Sequence, residues 1–326
     1  MIGCAIAWHV LTAILLAILI GNFELVLKTI ATFPILLTIC YYIFKNNNVT
    51  GKNKDKFFAG LHVGGHRGSP HEAPENSIEG FIKAKQAKCE LVEFDIHLSS
   101  DEVPVLIHDE TTTRTSEENV AIRNTSLENI KKIPLKEVSG VGAGIPTLVE
   151  AVDWCLQNNM RMIFDVKSAE AKMISSLTQL IKEKNLYDKA IISSFDPRVP
   201  YMIKKVDNNI LTSFTSRSGY LTYMDEDKRY PFDTTYTSVL YMILDDFIEL
   251  GIRSFLLPLF LGVDMLLLHY KNINGYLVSD GRSYGIHVIA WTVNKRTFAN
   301  FLRSIKVPFL TDYPQNLSDI EESTPA

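Results

Sequence analysis

Glu93 and Asp95 stand one residue apart in the apolar run Leu91-Val92-Glu93-Phe94-Asp95-Ile96, which reads as a buried strand. Side chains alternate across a strand, so both carboxylates face the same way. Two like charges side by side in a core are costly unless a cation lies between them. Magnesium or calcium, which favour oxygen ligands, would meet that need, and Glu93 and Asp95 are the expected metal ligands. A third carboxylate, Asp165, ends the run Met162-Ile163-Phe164-Asp165, and Lys167 should point the same way, where a phosphate or the acids would welcome its charge. His66 and Arg67 lie between glycines in Gly65-His66-Arg67-Gly68, and His108 closes Val105-Leu106-Ile107-His108. Histidine titrates near neutrality and suits general acid and base work; arginine can clamp a phosphate with two parallel hydrogen bonds. The set describes a site for cutting a phosphate ester. His9, His62, His71, His97, His269 and His287 lack such a context and read as ordinary histidines.

Short apolar runs alternate with helical stretches from Leu61 onward. Expected strands are Leu61–Gly65, Leu91–Ile96, Val103–Ile107, Met162–Val166, Ala190–Ser194, Ile210–Phe214, Val288–Val293 and Phe309–Thr311. Expected helices include Ser77–Lys88, Leu148–Asn158, Ala171–Lys184 and Val199–Asp207, the first with Asn76 as its N-cap. Such alternation predicts a parallel sheet with helices outside, and the length favours a closed α/β barrel with the chemistry at the C-terminal strand ends. Ser99-Ser100-Asp101-Glu102 is too short for a helical crossover, so the second and third runs should form an antiparallel hairpin. Residues 217–270 break the rhythm and read as an apolar insert. Its richest part, Leu256–Leu268, suits barrel core, or a lid or surface that touches membrane.

The first 45 residues read as a membrane anchor of one or two hydrophobic segments. Ile2 to Gly21 carries no charged side chain and is long enough to span; Thr29 to Phe44 is shorter and interrupted by Pro34. Residues 46–60 look like a polar linker, 61–316 like the catalytic barrel, and 317–326 like a tail. The chain is therefore expected to be an integral membrane protein of an endomembrane or the plasma membrane. The side is open: Lys45, Lys52, Lys54 and Lys56 favour the cytoplasm, whereas the sequons at Asn48, Asn124 and Asn316 matter only outside it. A net charge of −4 with no basic block gives no sign of a nucleic-acid partner. The four cysteines show neither zinc nor disulfide spacing.

Read together, the motifs Gly65-His66-Arg67-Gly68, Ala73-Pro74-Glu75-Asn76-Ser77, Glu93-Phe94-Asp95, Val103-Pro104-Val105-Leu106-Ile107-His108-Asp109, Arg114-Thr115, Phe164-Asp165-Val166-Lys167, Trp291-Thr292-Val293-Asn294 and Thr311-Asp312-Tyr313-Pro314 resemble the glycerophosphodiester phosphodiesterase family, in the family's order. The resemblance covers about Leu61 to Pro314 and is nearest to the family's animal membrane-bound members. It implies a (β/α)8 TIM barrel of the phospholipase C-like phosphodiesterase type, with a magnesium or calcium ion held by Glu93, Asp95 and Asp165. His66 and His108 would be the acid–base pair, Arg67 and Lys167 the phosphate binders, and Trp291 the lining of the glycerol or alcohol side. Asp165 stands where many members carry glutamate, and its shorter arm would shift the ion or admit a water. The implied reaction is metal-dependent hydrolysis of a glycerophosphodiester, such as glycerophosphoinositol or a glycerophospho-N-acylethanolamine, to glycerol 3-phosphate and an alcohol, within lipid metabolism. Lysophospholipase D or phospholipase C-like action on membrane lipid is the alternative among enzymes. A membrane interaction protein without turnover is the alternative of another class.

Overall fold

The computed structural model describes residues 23–224, 230–232 and 235–317, with residues 12, 15, 16, 18 and 21 ahead of them. The chain separates into two compact units, Met1–Lys45 and Asn46–Ala326.

In the first unit, the helix Phe23–Phe44 runs for 22 residues, about 33 Å at 1.5 Å per residue. Its portion Val26–Phe44 is long and apolar enough to cross a bilayer by length and composition. Glu24 and Lys28 neutralise one another at 2.6 Å, four residues apart. Thr32 and Thr38 return their hydroxyls to backbone oxygens one turn back, at 2.8 Å each. The helix thus begins before Thr29 and continues through Pro34, which forfeits one backbone bond without ending it. The other expected segment, Ile2–Gly21, lies outside the described residues apart from scattered positions.

The second unit is a closed barrel. Its strands are β1 (Val63–Gly65), β2 (Leu91–Leu98), β3 (Pro104–Leu106), β4 (Pro134–Val138), β5 (Val141–Gly144), β6 (Arg161–Val166), β7 (Ala190–Ser194), β8 (Leu211–Ser216), β9 (Met265–His269), β10 (His287–Trp291) and β11 (Phe309–Thr311). Eight of these, β1, β2 and β6 to β11, pair in parallel, and β1 closes the ring by pairing with both β2 and β11. β3 pairs antiparallel with β2, as the short Ser99–Glu102 link requires. The eight expected strands all form, with ends shifted by up to two residues. β4 and β5 are an unforeseen hairpin, part of a small lobe packed around Val105, Ile107, Ile122, Ile130 and Ile145. That lobe follows His108 and fixes its loop.

Two boundaries are corrected. Met265–His269, placed by the sequence reading within an insert over 217–270, is the buried barrel strand β9, between β8 and β10. Gly262, in the left-handed region at φ 72°, turns the chain into it, and a Cβ there would meet Asn46 at 2.7 Å. Residues 46–60 are also no free linker. Lys52–Phe58 is helical, and Phe57 is fully buried in the barrel bottom with Leu91, Ile163, Ile191, Leu211, Met265 and Ile289. Lys54 and Lys204 both pair with the fully buried Asp264, at 3.3 and 2.8 Å. The barrel floor is therefore apolar and closed, and polar inward side chains begin only above it.

Candidate active site

Strand alternation carries the inward face of β2 from Leu91 through Glu93 to Asp95, and that of β6 from Ile163 to Asp165. Asp95 and Asp165 are direct neighbours in the β2–β6 register. Glu93, Asp95 and Asp165 are buried, and each offers an oxygen within 4.8 Å of the others. The shorter arm of Asp165 therefore still reaches the cluster.

Two cations, Lys167 and Arg67, lie against these acids. Lys167 Nζ lies 2.6 Å from Asp95 and 2.5 Å from Asp165. Arg67 donates its backbone N–H to Glu93 at 2.9 Å, and its Nε stands 3.4 Å from Asp95. Burial opposes the charge of Asp95, but Lys167, Arg67 and His108 outweigh it and hold the carboxyl well below the usual carboxylate range. Glu93 fares differently. Burial, then the charges of Asp95 and Asp165, push it up to about 8 against the opposing pull of His66 and Arg67.

Each candidate histidine is held by a carboxylate through Nδ1. His66 bonds Asp312 at 2.7 Å, and Asn294 donates to the other Asp312 oxygen at 2.7 Å. Burial lowers the His66 pKa, but the Asp312 hydrogen bond leads the groups that raise it on balance. His108 bonds Asp109 at 2.6 Å, Arg114 Nε donates to Asp109 at 2.7 Å, and Arg114 also grips Glu75 with two bonds of 2.6 and 2.8 Å. Burial and the cations Lys167 and Arg67 lower His108 below its usual range, despite Asp95 and Asp109. The two environments thus shift the histidines in opposite directions.

All eight sequence-assigned residues, His66, Arg67, Glu93, Asp95, His108, Asp165, Lys167 and Trp291, line one open cleft of about 1020 Å³. Its far wall is aromatic: Phe195 stacks on Tyr220 at 4.3 Å and meets Trp291 edge-on at 5.5 Å. Trp291 is steadied by its Nε1 donating to Leu267 O at 3.1 Å. Asp312, Asn294, Asp109 and Glu75 had no assigned role, although each sits in a quoted motif. Asn76 is corrected. Ser77 caps the helix Ile78–Gln86, while Asn76, at φ 55°, turns its amide inward to donate to Asp95 at 2.8 Å and accept its N–H at 3.0 Å. His97 also lines the cleft, bonding His108 O at 3.1 Å.

The donor set suits a hard cation. It is all carboxylate oxygen, burial beside Asp95 and Asp165 raises the Glu93 carboxyl, and Asp165 Oδ1 is buried with no hydrogen-bond partner among the described residues.

At the C-terminal strand ends of this parallel eight-stranded barrel the chain gathers three carboxylates, two carboxylate-paired histidines and the cations Arg67 and Lys167. Residues 66–316 match the glycerophosphoryl diester phosphodiesterase family, and the chain belongs to that family. It is 30% identical over 236 residues to human glycerophosphodiester phosphodiesterase 1, covering 70% of each chain. With the bovine protein of that name the identity is 30% over 267 residues, covering 80% of this chain and 78% of the other. Among solved structures, an Oleispira antarctica phosphodiesterase in complex with the product sn-glycerol-3-phosphate superposes with a TM-score of 0.61 at 23% identity, covering 80% of this chain and 97% of that one. The Agrobacterium tumefaciens glycerophosphodiester phosphodiesterase gives 0.62 at 14% identity, covering 80% and 100%. Both likenesses concern the barrel fold.

Proposed function

We propose that this chain is a membrane-anchored, cation-dependent hydrolase that releases glycerol 3-phosphate from glycerophosphodiesters. The observation that carries the reading is two histidine–carboxylate pairs facing one buried three-carboxylate cluster. Glu93, Asp95 and Asp165 would hold one divalent ion, magnesium or calcium. When bound, it would offset charge on the phosphoryl oxygens, where this reaction needs help.

The chain's own groups do the rest. Arg67 and Lys167 bind the phosphate oxygens. An ionised carboxylate only accepts, so Asp312 fixes the His66 proton on Nδ1. Asp312 also favours the imidazolium, so His66 is suited to protonate the leaving alcohol. His108, kept neutral, is suited to take the proton of the nucleophile, which is water or the substrate's own glycerol hydroxyl. Phe195, Tyr220 and Trp291 cover the alcohol side. Val26–Phe44 would anchor the enzyme to an endomembrane or the plasma membrane, where glycerophosphoinositol, glycerophospho-N-acylethanolamines and lysophospholipids arise from lipid metabolism.

Product analysis with glycerophosphoinositol tests the cleavage. Glycerol 3-phosphate with free inositol is expected; inositol phosphate with glycerol would place the cut on the other side of phosphorus and overturn the reading.

A further inference from the structure

The helix Tyr236–Arg253 is fastened to the barrel by one face and turns an apolar stripe to solvent. Its fastened face is explicit. Asp245 accepts from Leu221 N, Thr222 N and Thr222 Oγ1 at 3.0, 3.0 and 2.6 Å, Glu249 accepts from Ser218 Oγ at 2.8 Å, and Ile248 and Ile252 join the core. At about 100° per residue, the opposite face carries Tyr236, Leu240, Ile243, Phe247 and Leu250. These five are 96%, 56%, 46%, 66% and 62% exposed. A helix that shows large apolar side chains away from its packed face marks an interaction surface.

The stripe leads to the cleft. Thr222, which bonds Asp245, also accepts the backbone N–H of Phe232 at 2.9 Å, and Met224 N donates to Tyr230 O at 2.8 Å. This ribbon carries the exposed rings of Tyr230 and Phe232, while its Met224 and the neighbouring Tyr220 line the cleft itself.

We propose that this stripe docks on the lipid bilayer and brings the cleft mouth to its surface. The proposal rests on the anchor reading above. Only Lys45 separates Phe44, where the apolar helix ends, from Asn46, which is fixed in the barrel unit. Asn46 donates its backbone N–H to Phe260 O at 2.9 Å and its amide to Tyr201 O and Leu261 O at 3.1 and 3.3 Å. Phe260 and Leu261 belong to the helix Leu256–Leu261, which follows the striped helix and packs on it at Gly251. Two residues of chain reach at most about 7 Å. Chain connectivity alone therefore holds the end of Val26–Phe44 within a two-residue reach of Asn46, which is bonded to the short helix that packs on the striped one. An acylated glycerophosphodiester could then offer its phosphate to the cleft while its chain stays in lipid. Of the two readings left open for Leu256–Leu268, the buried Leu261 and Met265–Leu268 fit barrel core, and the membrane surface proposed here lies upstream.

The test uses the full chain with C4S and C40S, so that only introduced thiols react; Cys89 and Cys155 are buried. An environment-sensitive fluorophore is placed at Leu240→Cys, Phe247→Cys or, as the remote control, Glu128→Cys, and the protein is reconstituted into phosphatidylcholine vesicles with and without doxyl-labelled lipid. Tyr236→Cys replaces either stripe variant that loses glycerophosphoinositol hydrolysis. Expected is flotation with the vesicles and quenching at both stripe positions several-fold above that at position 128. Flotation with quenching no greater than at position 128 overturns the docking and leaves the anchor standing; a second copy on the stripe would give that result. Failure to float overturns both.

Discussion

Asp312→Asn tests the division of labour between the histidines. Both Asp312 oxygens accept: one from His66 Nδ1 at 2.7 Å, the other from Asn294 Nδ2 at 2.7 Å. Asn294 cannot turn over to help, because its own oxygen accepts the Asp312 N–H at 3.0 Å and the Thr311 hydroxyl at 3.2 Å. The new side-chain NH2 must therefore face a donor. Facing Asn294, it sets two NH2 groups together. Facing His66, it demands an unprotonated Nδ1, which drives the proton to Nε2 and penalises the imidazolium. A hydrogen bond to a charged group contributes about 1.5–3 kcal/mol. Lost from the acid form alone, that lowers kcat by about 10- to 160-fold at tenfold per 1.36 kcal/mol. Asp312 has no role in binding the phosphate, so KM should hold within about twofold. With the main raising group gone, the limb of the pH–rate profile that belongs to His66 moves to lower pH. The assay is glycerol 3-phosphate release from glycerophosphoinositol across pH. A variant with wild-type kcat and an unmoved limb would refute the reasoning.

Glu93 predicts a linkage between cation and proton. Without cation its folded-state pKa is about 8, against 4.5 for the ordinary group, so the folded chain binds more protons between those values. The stability of the chelated protein should therefore fall as pH rises through that window, and added cation should reverse the trend; thermal unfolding at several pH values with and without chelator measures both. Phe57→Ala opens the barrel floor. Loss of a fully buried phenylalanine should cost about 3–5 kcal/mol, read as a lower midpoint in denaturant with the family activity intact at low temperature; a change under about 1 kcal/mol would mean that the floor does not depend on this plug.

Much of the site was legible because its signals are local. Period-two alternation placed Glu93 and Asp95 on one face, and a four-residue link exposed the β2–β3 hairpin. What escaped depended on partners far along the chain. Lys54 looked like a linker lysine, since its partner Asp264 lies 210 residues away. Asp312 is 246 residues from His66, and nothing near it reveals the pairing. Asn76 had the chemistry of a helix cap, but Asp95 claims its amide and Ser77 takes the cap. β9 was hidden because Pro258, Gly262 and Asp264 break up its apolar run. Those residues serve a helix, a left-handed turn and a buried ion pair just before the strand begins.

The central claim is that Glu93, Asp95 and Asp165 hold one divalent cation that hydrolysis requires. The most direct measurement is glycerol 3-phosphate release from glycerophosphoinositol by the purified protein in magnesium, calcium or chelator, beside Glu93→Ala. The account predicts release that chelator abolishes, that added cation restores, and that Glu93→Ala loses in every condition. Release that persists in chelator, or a Glu93→Ala enzyme as active as the native one, would contradict it.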